Sequence, residues 1–519
     1  MSSLPIIDCL VLTPNDNVGV LAISGGEPNQ IVKILKPSTN MIRLKTSVPK
    51  AHKIAIREIK TNDPIIKFGQ IIGISTQNIL PGEHVHIHNV KSADGTYFSE
   101  ELLNKPRAPI LKKDKTFPTS FQGFLRKDGR AGIRNYVLVI STVNCSATVA
   151  KEVVRYFKNT DLLKYGIDGV VPVIHRSGCA QAIGGYAHTI LNRTIAGWLD
   201  HPNVVGALVI GLGCEGTTLK SIMASLDSKN TFDEAFLESL NIQDVGGTKK
   251  AIRIGIEKAE RILADLPTFE RIELPVSLLK VALNCGGSDA FSTLTANPAL
   301  GIAGDILVSY GGTIVLAEVP ECHGAKKLLL QKCIFQKERN KLMRIFSWWN
   351  EYCKKNNVKM NNNLSPGNIA GGISTIVEKS LGAIAKGGSS PITQVVDYAE
   401  RVTKKGLVFM NTPGFDPVSI TGLVAGGCNL VAFTTGRGSV YGCSIAPTIK
   451  IATNSELYKR LQEDMDLDAG EIIIKGNLTE IGKKIYEFFV KVANGDKTCS
   501  EKLGLGKEEF APWAVGETL

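Results

Sequence analysis

Hydrophobic positions fall into two regimes along the chain. Up to about residue 92 they come in short β-like runs, Val18 to Ile23, Ile54 to Ile56, Ile65-Ile66 and Val85 to Val90, broken by Gly, Pro, Asn and Asp. That pattern predicts a small all-β module. From about residue 93 to 118 the chain turns polar and carries Lys-Pro, Ala-Pro and Phe-Pro pairs, which reads as a linker. Beyond Phe121, apolar runs alternate with helical stretches: Tyr136 to Ile140, Val170 to Ile174, Val204 to Ile210, Val276 to Leu283, Thr313 to Ala317, Leu407 to Met410 and Leu430 to Phe433. Apolar runs between helices predict an α/β fold with a mostly parallel sheet buried on both faces.

A length of 519 residues suits two to four domains at about 150 residues each. Hydrophobic residues make up 43% and charged ones 21%, a globular composition. No apolar run reaches the roughly 18 residues of a spanning helix, and Met1 to Pro5 does not open a secretory signal, so a cytoplasmic protein without a membrane partner is expected. The net charge of +11 raises nucleic acid as a partner, but its distribution argues otherwise. Ten Lys and Arg against Glu338 and Glu351 lie between residues 324 and 360, interleaved with Leu328, Leu329, Leu342, Ile345, Phe346 and Trp349 at helical spacing. The bases read as the wet face of an amphipathic helix.

In open parallel sheets, ligands bind beyond the carboxyl ends of the strands. The turns after successive apolar runs are chemically alike here: Asn144-Cys145, then His175 with Gly178-Cys179, then Gly213-Cys214-Glu215, then Cys285-Gly286-Gly287-Ser288-Asp289. Glu318 and Glu321-Cys322-His323 come after the next run. One buried Cys is usually a small hydrophobe, but four in the same topological position read as one rim, a metal site of thiolate, imidazole and carboxylate. Among eleven Cys there is no CxxC pair, which excludes a zinc ribbon, and a chain in a reducing compartment keeps its thiols free. Thr434-Thr435-Gly436-Arg437-Gly438 places Arg437 between glycines, where it can grip a carboxylate with two parallel bonds. In the amino-terminal module, period-2 alternation puts His84, His86 and His88 on one strand face, with His52 elsewhere in the module. Such imidazoles suit a metal or acid–base chemistry.

These strings together resemble the altronate/galactarate dehydratase family of sugar-acid hydro-lyases. The resemblance runs over nearly the whole chain, through Asp16-Asn17-Val18, Gly82-Glu83-His84-Val85-His86, Phe121-Gln122-Gly123-Phe124, Gly132-Ile133-Arg134-Asn135-Tyr136 and Asn144-Cys145-Ser146-Ala147-Thr148. It continues through Gly211-Leu212-Gly213-Cys214-Glu215, Cys285-Gly286-Gly287-Ser288-Asp289, Ser365-Pro366-Gly367-Asn368 and Thr434-Thr435-Gly436-Arg437-Gly438. It implies a β-clip (SAF-type) domain over 1–92, a linker over 93–118, a middle α/β domain over 119–270 used for dimerisation, and a Rossmann-like α/β domain over 271–519. It also implies a homodimer, a need for ferrous iron and reducing conditions, and a sugar-acid substrate. The His-x-His-x-His string resembles the altronate type. Two departures stand out: Ile369 follows the Pro-Gly-Asn turn where the family commonly has Lys, and Gly216-Thr217 follows Glu215 where Asn-Gln is usual.

The expected chemistry removes the C2 proton of a 2,3-dihydroxy acid and expels hydroxide from C3. His86, His88 or His175 supplies the base. Cys145, Cys179, Cys214, Glu215 and Cys285 hold Fe²⁺, with Mn²⁺ a substitute and an iron–sulfur cluster a rival arrangement. Arg437, Ser288, Asp289 and Asn144 hold the substrate. D-altronate is the first candidate. Galactarate dehydration, sulfolactate sulfo-lyase activity and a silent homologue that binds acidic sugars or an acidic partner are the alternatives.

Overall fold

The computed structural model describes residues 6–35, 40–93, 116–226 and 233–515, so most of the linker read over 93–118 lies outside the described residues. The fold class is the expected one: a small β module ahead of α/β sheets. In the amino-terminal module, apolar positions in twos and threes between turn residues give strands of two to six residues in three small sheets. Val18–Val20, Lys53–Ala55 and His84–Val85 form one of them, antiparallel throughout. Strand alternation ends there. His86 opens a turn in which its carbonyl accepts from the Asn89 N–H at 3.0 Å and its own N–H donates to Asn89 Oδ1 at 2.9 Å.

Two parallel sheets follow, not one. The first has the order Gly169–Val173, Tyr136–Ser141, Val204–Gly211, Leu237–Asn241. Every residue of Tyr136–Ser141 and Val204–Gly211 is buried, because the helices Ala147–Tyr156, Thr248–Asp265 and Tyr186–Leu199 pack on the sheet. The second has seven strands, in the order Ile392–Val396, Gly406–Met410, Thr313–Leu316, Lys280–Cys285, Leu430–Thr435, Thr448–Ala452, Leu467–Asp468. All of its pairings are parallel. Asn203, just before one sheet's central strand, donates to Ile445 O at 2.8 Å, and His201 Nε2 pairs with Cys428 O at 3.0 Å, which ties the two sheets together.

Each sheet has a switch point, where successive connections leave the first strand in opposite directions. In the smaller sheet that strand is Tyr136–Ser141, with Gly169–Val173 on one side and Val204–Gly211 on the other. In the larger it is Lys280–Cys285, between Thr313–Leu316 and Leu430–Thr435.

The amino-terminal module docks on the larger sheet's domain through buried charge. Glu378, 1% exposed, accepts from Lys53 Nζ at 2.9 Å and Lys67 Nζ at 2.7 Å, and Lys53 also donates to Gly372 O at 2.8 Å. Burial pushes the Lys53 ammonium down to about 8, while the two ammoniums overcome burial and hold the Glu378 carboxyl well below its usual range. The basic stretch expected as one amphipathic helix is two, Lys326–Lys332 and Gln336–Lys355, and the second buries Leu342, Ile345, Phe346, Trp349 and Cys353 beneath its charged face. Among the described residues, no helix is long and apolar enough to cross a membrane.

Candidate active site at the switch point of the larger sheet

Two glycine-bearing turns meet at the larger switch point. The Gly286 N–H donates to Thr434 O at 3.1 Å and the Gly436 N–H to Gly287 O at 3.2 Å, so residues 286–289 and 434–438 form one floor. Asp289 caps the helix Ala290–Leu294, accepting from the Ser292 N–H at 2.8 Å, and it also accepts from Thr453 Oγ1 at 3.1 Å. Its carboxylate, expected to hold substrate, is therefore taken up in fixing the floor. A Cβ on Gly436 would lie 2.2 Å from Asp289 Cγ, so only glycine lets the second turn come this close. Ser288 is buried, and its carbonyl accepts from Asn368 Nδ2 at 2.8 Å. Arg437 is exposed and its guanidinium has no ion-pair partner among the described residues. Among the described residues it is a cation of the floor left without an ion pair.

The helix Pro366–Ala370 joins this floor to the amino-terminal module. Ser365 and Asn368 cap it reciprocally, Gly367 lies against the Arg437 side chain, and Gly371 O accepts from the Ala290 N–H at 2.8 Å. Gly372 has φ +94°, and a Cβ there would lie 2.5 Å from Ala51 O. On the other side of this joint sit the histidines. His52 Nε2 is 3.3 Å from Ala370 O and His52 Nδ1 is 3.0 Å from His84 Nε2. The rings of His84 and His86 stack 5.4 Å apart, and His88 lies 5.2 Å from His84. Antiparallel pairing of Ile54 with His84 brings His52 in from 32 residues away, a partner that alternation along one strand does not reveal.

Burial, neighbouring imidazoles and Lys53 push His84 down to about 3, and burial, Lys53 and His52 push His86 down to about 4. Burial also lowers His52. Neutral rings have lone pairs to give, and His86 Nδ1 is buried without a hydrogen-bond partner. One nitrogen from each of His52, His84 and His86 lies within 4.8 Å of the other two. The set fits a divalent transition metal.

Beneath the floor lies a buried ionic network that sequence spacing does not assemble. Lys386 Nζ contacts Cys285 Sγ at 2.9 Å and Glu318 Oε2 at 2.6 Å; Cys285 Sγ is 3.2 Å from Glu321 Oε2, which is paired to Lys379 through its other oxygen at 2.8 Å. Burial pushes Glu318 up to about 8 and raises the Cys285 thiol well above its ordinary value, with Glu321 adding to the latter. Burial alone would lower Lys386, but Cys285, Glu318 and Glu321 outweigh it and raise it. Glu318 sits at φ 65°, ψ 61°, a left-handed conformation costly for a residue with a Cβ. Cys285 therefore buttresses the floor from below.

The remaining expected site residues belong to the smaller sheet, which corrects the reading of one common rim. Cys145, Cys179 and Cys214 follow its strands, whereas Cys285 ends a strand of the larger sheet. The strand-end rule cannot tell which sheet a strand joins. Glu215 is spent within its own turn, accepting from Thr142 Oγ1 at 2.6 Å, the Gly213 N–H at 2.7 Å and the Leu212 N–H at 3.0 Å. His175 is buried with Nε2 donating to Ser141 O at 3.0 Å and Nδ1 accepting from the Ser177 N–H at 3.1 Å, and burial pushes it down to about 4. Both nitrogens being engaged, it is a structural histidine of that rim. Asn144 Nδ2 donates to His175 O at 3.1 Å and stands with it, apart from Arg437.

The class these features define is an α/β protein with two doubly wound parallel sheets and an SAF-type module closing over one of them. Family models match it in three consecutive pieces: "Altronate/galactarate dehydratase SAF domain" over residues 7–93, "D-galactarate dehydratase/Altronate hydrolase, second domain" over 123–267, and "D-galactarate/Altronate dehydratase, C-terminal" over 276–518. The altronate dehydratase of Bacillus subtilis is 36% identical, with 92% of this chain and 94% of that protein covered. The altronate dehydratase of Escherichia coli is 33% identical, with 97% and 98% covered, and its galactarate dehydratase (L-threo-forming) is 34% identical, with 94% of each covered. The chain belongs to the altronate/galactarate dehydratase family.

Proposed function

We propose that this chain is a sugar-acid hydro-lyase that converts D-altronate to 2-dehydro-3-deoxy-D-gluconate and water in the cleft between the SAF-type module and the larger sheet. The observation that carries this reading is that one short helix, Pro366–Ala370, has Arg437 against Gly367 and the histidine cluster, through His52, against Ala370 O. Arg437 receives the substrate carboxylate, for which a guanidinium offers two parallel donors. His88, exposed at the open end of the cluster, takes the C2 proton. Hydroxide leaves C3, and the resulting enol tautomerises to the 2-keto-3-deoxy acid.

His52, His84 and His86 are the residues that would hold the metal, for which Fe²⁺ is the first choice. When bound, such an ion lends Lewis acidity to the carboxylate and hydroxyl oxygens and so eases both proton loss and hydroxide departure. The Gly286 to Asp289 turn and the helix Pro366–Ala370 hold the floor and the histidine module in register, and the buried Glu378 clamp keeps that register against opening. The working unit in this reading is a homodimer, which sedimentation of the purified chain checks.

The deciding assay is anaerobic, with Fe²⁺ and thiol present, and offers D-altronate, galactarate and sulfolactate separately while 2-keto-acid is followed. Iron-dependent turnover with D-altronate preferred is the expected result. Preference for galactarate or sulfolactate replaces the substrate, and metal binding without turnover of any of the three removes the hydro-lyase reading.

A further inference from the structure

The larger switch point accounts for the histidines and Arg437, and leaves Cys145, Cys179 and Cys214 without a role. Of the eleven cysteines, these three are exposed; Cys499 is half-buried and the other seven are buried. Thiols are rarely left on a surface without purpose, because exposure invites oxidation. These three end adjacent strands: Cys179 beyond Gly169–Val173, Cys145 beyond Tyr136–Ser141, Cys214 beyond Val204–Gly211. The central strand of the three is the first in the chain, so the thiols surround the smaller sheet's switch point, where a doubly wound sheet takes its ligand.

Their turns are built against one another. The Asn144 N–H donates to Ser177 O at 3.1 Å, the Thr217 N–H donates to Gly178 O at 3.2 Å, and Thr142 Oγ1 reaches Glu215. Gly178, at φ +102°, would place a Cβ 2.2 Å from Thr142 O, and Ala180 next to Cys179 is itself left-handed at φ 54°. Strain of this kind persists where surrounding structure holds it, commonly at binding sites. The same strand ends carry orphaned polar atoms. Ser141 Oγ and Thr217 Oγ1, both 0% exposed as residues, and Gln181 Oε1 have no hydrogen-bond partner. Buried polar groups are nearly always satisfied, so these orphaned atoms leave room for a partner at the rim. A cavity of about 200 Å³ lined by Thr142, Gly213, Glu215 and Thr218 adjoins the rim.

The donor set selects among ligands. Thiolates favour iron–sulfur clusters or zinc over hard cations. A single ion needs its donors close together, yet among the described residues no three of Cys145, Cys179, Cys214 and Glu215 bring ligand atoms within 4.8 Å of one another, and Glu215 is already saturated. A cluster holds its thiolates further apart, around a core of several atoms. Its net negative charge would face the positive end of the helix Ala147–Tyr156, which starts just beyond Cys145. We propose that Cys145, Cys179 and Cys214 bind a cubane iron–sulfur cluster at the smaller switch point, with three protein thiolates and one iron left open to a non-protein ligand. This site is separate from the histidine cleft and does not rest on the identity of the substrate.

The test loads the full chain anaerobically with ferrous iron, inorganic sulfide and thiol, then measures visible absorption with iron and acid-labile sulfide per chain. About four of each, with broad visible absorption, is expected. Each of C145S, C179S and C214S should lose most of that sulfide and absorption, the triple variant all of it, and C285S none, since Cys285 lies under the other sheet. If the triple variant fails to fold, alkylation of the unsubstituted chain gives a second readout: the three thiols are labelled in the unloaded chain and protected in the loaded one. Undiminished sulfide in the triple variant, iron uptake with no labile sulfide, or one zinc held by the same thiols would overturn the proposal. None of these readouts depends on turnover, so failure of the altronate assay and failure of the cluster are distinguishable.

Discussion

At the larger switch point most polar groups of the floor are engaged with one another, although Asn284 Oδ1 and Glu318 Oε1 beneath it lack partners. Asp289 caps a helix, Ser288 is tied to Asn368, and Cys285 is locked against Lys386. A second module then closes on the floor with four histidines. At the smaller switch point three thiols stand exposed and three polar atoms lack partners, with Phe510 of the carboxyl-terminal segment packed on His175 beside them. The same topology thus yields two kinds of site. One is assembled between domains, so its geometry depends on docking. The other is made from successive turns of a single sheet, so it depends only on local folding. The two should fail under different perturbations.

The largest separation is expected from His88→Gln. Losing a general base costs about 10²- to 10⁴-fold in kcat, and steady-state assay of 2-keto-acid formation measures it. Sulfide loading at the cysteines should not change. A kcat within about threefold of the unsubstituted chain would move the base to another residue. Next comes the docking clamp. Glu378→Ala leaves two ammoniums buried and unpaired, and breaking such a pair costs about 3 to 5 kcal/mol. Denaturant unfolding followed at the two sheets separately should show the amino-terminal module lost first and the cysteine rim intact. Simultaneous loss of both would make the two sites one cooperative unit.

How much the sequence reveals depends on which interactions are local. The fully buried strands Tyr136–Ser141, Val204–Gly211 and Leu430–Thr435 are continuous apolar runs and are legible as such. Leu237–Asn241 is not, because Leu-Glu-Ser-Leu-Asn on a sheet edge carries two apolar residues in five. Alternation groups His84, His86 and His88, although a turn rather than a strand gathers the last two. Lys53, Lys67 and Glu378 stay hidden because they meet only through docking across more than 300 residues, and His52 because antiparallel pairing brings it to His84 from 32 residues away. The same holds for Lys386 beside Cys285: a lysine next to an apolar helix is silent until the fold buries it against a thiol and two carboxylates.

Arg437→Lys sharpens the comparison at the substrate end. Lysine keeps the charge but loses the paired donors, and the lost charge-assisted bond is worth about 1.5 to 3 kcal/mol, or roughly 10- to 100-fold in kcat/KM. An unchanged kcat/KM would place the carboxylate elsewhere. Acid stability probes the smaller sheet and its joint. Burial pushes His175 to about 4 and His201 to about 3, below the ordinary histidine value of about 6.5. The unfolded chain therefore takes up protons, as pH falls through about 6.5, that the folded chain refuses. Stability is full above that value and declines as pH drops toward 4, by up to about 1.4 kcal/mol per pH unit for each buried imidazole. Unfolding at about pH 6.5, 5.5 and 4.5 checks this, and His175→Asn should flatten the slope. A slope unaffected by that substitution would assign acid sensitivity to His201 or to the histidine cleft instead.

The smallest effect concerns Ile369, the position at which the resemblance led to an expectation of Lys. It lies half-buried in the helix Pro366–Ala370, one residue from the carbonyl that meets His52 and two from the glycine packed against Arg437. Ile369→Lys would add a second cation beside the lone guanidinium, in surroundings whose histidines are neutral. A partly exposed charge at that range is worth about 0.2 to 1 kcal/mol, so KM for a sugar monoacid should fall roughly 1.5- to 5-fold with kcat unchanged. The gain should shrink as salt is raised. Galactarate, with a carboxylate at each end, should gain more than D-altronate if the new cation meets the far end, and the two should gain equally if it only strengthens the field around Arg437. A rise in KM for both would mean instead that Ile369 packs to hold the helix in place, and that this chain fixes its substrate without the second cation.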